Sequence, residues 1–261
     1  MVGILSHSRG DTAVSYEELQ NIQPLLPQTA SYYPTKHVDY VDTCFDLAER
    51  ALTGNEGYTL QNVNYLVNKD EGRMFFNFDY DPPDKENGHR LTVIGRSSTD
   101  KSMSYAFGIG MRVVICSNLM LNADFLVINK HTRNATTQIR HKVRDKLDDA
   151  TSCFRDSEKD MERMRQVEFT EDQGLAYLAR AYNNRVLGER MIRPALHAWD
   201  NPSYNYGRPS LWSAYNTVTE QLRDVNIKQQ MEGHRRLHKF TQETYFPQER
   251  TEIEEMLTKV V

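Results

Sequence analysis

The 261-residue sequence lacks paired cysteines, long apolar runs and any excess of positive charge. Its three cysteines, Cys44, Cys116 and Cys153, are odd in number and far apart. A disulfide framework needs pairs, and a zinc site needs close Cys/His spacing, so buried thiols are expected instead. No stretch approaches the ~20 apolar residues of a membrane span, and the start MVGILSHSRGD holds an apolar run too short for a signal-peptide core. The expected compartment is therefore a reducing cytoplasm, with no membrane partner. A formal charge of −4 argues against a surface that coats nucleic acid wholesale, so cations for such a ligand must gather locally. Repeats and low-complexity tracts are also missing. With 39% hydrophobic and 26% charged residues, the chain has the composition of a folded domain rather than a disordered one.

Catalytic signatures are missing as well. His234 and His238 in HRRLH stand i, i+4, the right separation for two metal ligands on a helix. The zincin pattern needs a glutamate after the first histidine, and Arg235 and Arg236 occupy the interval instead, so a solvated basic helix face is expected. Gly108 and Gly110 in FGIGMR lack the third glycine and the following helix of a dinucleotide fingerprint. Walker, nucleophile-elbow and kinase patterns do not occur. The carboxylates Asp145, Asp148 and Asp149 read as a solvated face. The expectation is a binding protein without a cofactor, a metal or a reaction of its own.

What is present is an α+β pattern. Residues 1–37, punctuated by Pro24, Pro27 and Pro34, read as an extended arm. His37–Leu52 places Val38, Val41, Phe45, Ala48 and Leu52 at helical spacing before Gly54. Strands follow at Tyr58–Lys69, Arg73–Tyr80, Arg90–Arg96, Tyr105–Ser117 and Asp124–Asn129. Their short connections, including Asp70-Glu71-Gly72, predict an antiparallel meander. From Thr132 to about Met164 the stripe Ile139, Val143, Leu147, Ala150, Phe154 predicts one helix. Thr170 to Gln173 forms a capping box for a helix through Leu187. Pro194 and Asn201–Pro209 predict breaks, Ser210 to about Thr241 a further helix, and Pro247–Val261 a short acidic one. The resulting layout is an arm over 1–37, an α+β core with an antiparallel sheet over 38–155, and a largely helical region over 156–261.

Positive charge concentrates in one place. Lys130, Arg133, Arg140, Lys142, Arg144 and Lys146 stand against the single acid Asp145 between Asn129 and Leu147. A second cluster holds Lys228, Arg235, Arg236 and Lys239. With Arg112, these cations are the candidate phosphate contacts. Tyr105, together with Tyr65, Phe75, Tyr80 and Phe107 and the loop residues Tyr204 and Tyr206, supplies rings for base stacking. The same residue types also occur as solvated helix faces and as strand core.

Three segments resemble a phage- and plasmid-borne family of unassigned function. Gly95–Met120 is similar to its signature, a Ser-rich turn with an aspartate followed by an Arg-Val-Val…Cys-x-Asn strand. Here that strand reads Arg112-Val113-Val114-Ile115-Cys116-Ser117-Asn118, with one additional residue before the cysteine. Ile128–Ala150 resembles its His-Thr-x-Asn lead into a helix, and Ser210–Gln221 its Trp…Asn-x-Val-Thr-Glu helix. The turn Ser98-Thr99-Asp100-Lys101 lacks the usual histidine and glycine, so no role of that histidine transfers. The resemblance implies a protein acting in the cytoplasm of an infected bacterial host. In layout the chain is also similar to single-strand-annealing proteins and to single-stranded-DNA-binding cofactors of phage RNA polymerases. These similarities imply a non-catalytic, early-expressed single-stranded DNA-binding protein serving replication, recombination or transcription. Its partners would be single-stranded DNA and a phage or host RNA polymerase or replication protein. The apolar arm is expected to cross onto a neighbouring copy in a homo-oligomer. The alternative is a protein-binding module, such as an inhibitor of a host defence enzyme, working through the acidic stretch Glu249–Glu255.

Overall fold

A computed structural model describes residues 11–84, 89–113, 119–121, 127–223, 225 and 227–247. Cys116, the middle of the Arg-Val-Val…Cys-x-Asn segment and the acidic stretch Glu249–Glu255 lie outside those residues. The fold class is α+β, as the sequence predicts. Strands β1 (Asp11–Val14), β2 (Thr59–Asn68), β3 (Arg73–Asp81), β4 (His89–Ser98) and β5 (Tyr105–Val113) pair in sequence order, all antiparallel. The far edge of β5 is shared by β6 (Leu119–Leu121), along Gly110–Arg112, and β7 (Val127–Asn129), along Tyr105–Phe107.

Strand alternation sorts the side chains. Met74, Phe76, Phe78 and Tyr80 of β3, Leu91 and Val93 of β4, and Tyr105, Phe107, Ile109 and Met111 of β5 all enter the main core. That face is covered by α2 (His37–Ala48), α3 (Ala135–Asp148) and α4 (Ala150–Gln166). α2 runs on into a π-helical turn, Glu49–Asn55, that buries Leu52. His37, at the start of α2, ties the helix to the sheet. Its Nε2 donates to the Glu71 carbonyl at 2.9 Å, which leaves Nδ1 to accept from Ser97 Oγ at 2.7 Å. Burial lowers the pKa of this imidazole. Glu71 itself holds the left-handed position of the β2–β3 turn, with φ at 54°.

Several predicted elements change on folding. The arm is not free: it forms β1 and a short helix α1 (Tyr16–Asn21), and Leu19, Ile22 and Tyr32 are buried in its own chain. Of the apolar residues that suggested a crossing onto another copy, Ile22 and Tyr32 are buried, Leu26 and Tyr33 half-buried, and Leu25 exposed. The single helix from Thr132 divides at Asp149 (φ −95°, ψ 0°), although its apolar stripe stays continuous in the core. Consecutive aspartates there favour a turn over helix interior. Pro194 breaks nothing; it sits inside α6 (Glu189–Asp200). Its missing N–H falls in the second turn, and Arg190, whose carbonyl would have accepted from it, is exposed to water. The capping box does form: Thr170 Oγ1 accepts from Gln173 N at 3.3 Å, and Gln173 Oε1 accepts from Thr170 N at 2.7 Å. It opens α5 (Glu171–Asn183), which ends short of Leu187. The last predicted long helix is two, α7 (Leu211–Leu222) and α8 (Ile227–Tyr245). One hydrophobic core runs from Leu19 to Phe240 and joins both halves. Among the described residues no helix is long and apolar enough to cross a membrane.

Candidate nucleic-acid interface

Helix α3 is held by one stripe, since Ala135, Ile139, Val143 and Leu147 are buried. The opposite surface is therefore obliged to face solvent, and Arg140, His141, Lys142 and Arg144 are all exposed. Arg140 and Arg144, at i and i+4, share a side of the helix. Arg133 and Lys130 are exposed in the turn before it, so helical period does not set their direction. Arg133 and Arg140 make no ion pair among the described residues. Among the described residues Arg144 pairs with Asp145, at 3.9 Å, and both are well exposed, so that pair neutralises little. Lys142 is committed in part, its Nζ lying 3.1 Å from Asn129 Oδ1 on β7. Lys146 is half-buried.

The second cluster is only half as expected. Arg235, Arg236 and Lys239 are exposed on α8, with Lys239 3.8 Å from Glu243 and Arg236 donating to the Arg185 carbonyl at 3.4 Å. The Lys228 side chain lies outside the described residues. His234 and His238, expected on a solvated face, are instead buried, because α8 turns that side toward the interior. His238 Nε2 lies 3.4 Å from Asp160, and burial pushes the pKa of His234 down to about 3. Among the described residues no group of three or more His, Cys, Asp or Glu side chains is placed to hold a metal. α3 packs chiefly on α2 and β7, and α8 on α7 and β6, so the two basic clusters belong to separate neighbourhoods.

Two expected contact residues point inward. Tyr105 is 2% exposed; its hydroxyl bonds Thr35 and its ring lies 3.9 Å from the His131 ring. Arg112 is buried against Asp79. Phe75, Tyr80 and Phe107 are likewise buried, and Tyr65 is half-buried. Those four buried rings cannot stack on bases in this conformation, for the ordinary reason that strand aromatics are what the core is made of, while Tyr65 keeps part of its surface open. Tyr204 and Tyr206 remain partly exposed.

Residue-by-residue reading missed the second face of the sheet. There Asn62, Asn64, Asn77, Asp79, Thr92, Arg96 and Arg112 line up across four strands, with Gly108 and Gly110 among them. Asp79 Oδ1 accepts from Thr92 Oγ1 at 2.8 Å, and its Oδ2 accepts from Asn62 Nδ2 at 3.2 Å and from Arg112 Nη1. Arg96 is buried and its pKa lowered by desolvation. Met231 of α8 joins Leu66, Phe75, Ile94, Met103 and Ala106 in a small apolar cluster on the same face. The alternation of Phe76, Asn77, Phe78 and Asp79 was the available signal, but it reads equally well as a solvated face.

No curated protein and no solved structure matches the chain. A family model does match, over residues 47–244, a span that takes in β2 to β7 and α3 to α7 whole. The chain belongs to the family described as the domain of unknown function DUF932.

Proposed function

We propose that this protein is a non-catalytic single-stranded DNA-binding protein that holds the phosphate backbone with the exposed cations on and before α3. The observation that carries the reading is the exposure of Arg140 and Arg144 on one side of α3, with Arg133 exposed in the turn before it, on a chain of net charge −4. Their helix is anchored by its buried stripe, so little side-chain and backbone freedom beyond the arginines themselves is lost on binding. With Phe75, Tyr80, Tyr105 and Phe107 in the core, the affinity in this reading rests on phosphate contact more than on stacking. Arg235, Arg236 and Lys239 would extend the path only if the strand crosses to α8. In this reading the protein acts on a phage genome in an infected bacterial cell, beside an RNA polymerase or a replication protein.

Fluorescence anisotropy with labelled single-stranded DNA at a series of salt concentrations tests it. For single strands, log K falls with log salt at ~0.7 per phosphate neutralised. Arg140→Ala/Arg144→Ala should therefore flatten the slope by about 1.4 and weaken binding at low salt. Absence of binding at low salt, or an unchanged slope in the double variant, overturns the reading.

A further inference from the structure

A cleft of about 450 Å³ opens in the helical half, within the size range of small-molecule sites. Its walls are the start of α5, the end of α6, the connection from Pro202 to Pro209, and α7. Three rings line it, Trp199, Tyr204 and Tyr206, together with two carboxylates, Glu171 and Asp200. No lysine or arginine is in the lining. Glu171 and Asp200 are exposed and have no ion-pair partner among the described residues. Asp200 is also the last residue of α6, where the helix's own terminal carbonyls add negative potential and disfavour a second negative group. The N-terminus of α5 at Glu171 offsets that potential, so it is the two carboxylates themselves that repel phosphate and attract a cation.

The rings are held rather than loose. Gly174 of α5 makes room for Trp199: a Cβ there would lie 2.0 Å from the indole. Tyr206 donates its hydroxyl to Glu220 Oε1 at 2.9 Å. Gly207 takes a left-handed conformation (φ 85°), and its N–H donates to Asn205 Oδ1 at 2.9 Å. The far end of the connection is pinned by Phe169 N donating to the Pro209 carbonyl at 3.1 Å and by Leu211 N donating to the Val167 carbonyl at 2.9 Å. The Tyr204 ring already faces one cation, since the Arg223 guanidinium lies 5.7 Å from its centroid. Aromatic faces with nearby carboxylates are the chemistry that selects alkylammonium groups.

We propose that this cleft binds a small organic polycation of the linear polyamine class, its ammonium groups on Glu171 and Asp200 and its methylenes along Trp199, Tyr204 and Tyr206. The proposal is independent of the nucleic-acid reading and is tested without DNA. Spermidine is titrated into the full chain by calorimetry, with a neutral diol of similar length and magnesium chloride as controls. Saturable one-to-one binding is expected for spermidine and not for the diol. Asp200→Asn and Tyr204→Leu should each weaken it by about three- to tenfold. Asp200 is exposed and Tyr204 half-buried against the core, and melting temperatures within error of wild type establish that both variants fold. Glu243→Gln, in an exposed pair outside the cleft lining, should leave the affinity unchanged. Failure of spermidine to bind, equal displacement of it by magnesium at matched charge, or affinity unaffected by Tyr204→Leu would each overturn the proposal.

Discussion

Replacing Arg112 by methionine should destabilise the fold sharply, because Asp79 is left as a charge with nowhere to go. The Asp79 side chain is fully buried and that of Arg112 is 6% exposed. Two neutral donors, Thr92 and Asn62, would remain on the carboxylate. Removing one member of a buried ion pair costs about 3–5 kcal/mol. At about 2–4 °C per kcal/mol for a chain near this size, the melting temperature should drop by roughly 6–20 °C. Urea unfolding followed by circular dichroism gives the free-energy difference directly. The companion variant, Asp79→Leu/Arg112→Met, removes both charges together with the charge-assisted hydrogen bonds from Thr92 and Asn62, a loss offset by no longer burying an ionised carboxylate. It should recover most of the loss. A single variant within about 1 kcal/mol of wild type would show that Asp79 reaches water by another route. A double variant worse than the single would show that the pair is a net source of stability rather than a mutual neutralisation.

Gly95 faces Phe76 directly across β3 and β4, and a Cβ at that position would lie 2.2 Å from the ring. Gly95→Ala should cost about 1–3 kcal/mol by overpacking, part of which Phe76→Leu in the same chain should restore; an unchanged urea midpoint contradicts the close approach. His234 is neutral and buried when folded, with a pKa near 3 against an ordinary 6.5. The unfolded chain therefore binds the extra proton between those values, so the stability owed to the neutral imidazole is complete above pH 6.5 and declines as pH falls toward 3. The contribution approaches about 1.4 kcal/mol per pH unit. His89, pushed down to about 4 chiefly by burial, acts with the same sign. His234→Gln should flatten the stability profile between pH 6 and 4 by about one proton, and identical slopes for variant and wild type would refute the assignment.

Local rules carried the reading of this chain a long way. Turn-bounded strand segments located β2 to β5, with period-two alternation in β3, the stripe from Ile139 to Phe154 identified the buried side of α3 and α4, and Thr170 with Gln173 marked a helix start to the residue. All of these depend on neighbours within a turn or a strand. The exposed state of Arg140 and Arg144 follows from the same stripe, because residues off the buried side have only solvent to face.

Other features depend on partners distant in sequence, and only the tertiary structure could decide them. Arg112 looked like one more cation for phosphate until β3 and β4 placed Asp79 beside it. His234 and His238 looked solvated until α8 laid that side on the interior. Pro194 looked like a break, and the arm looked free, because neither an exposed second turn nor a receptive sheet edge is written in adjacent residues. The cleft of Trp199, Tyr204 and Tyr206 is of the same kind, assembled from two helix ends, a connection and a third helix. Sequence determined which side of each element is apolar; folding decided which polar residues those sides would enclose, since burial of a charge is a property of its neighbours and not of the residue.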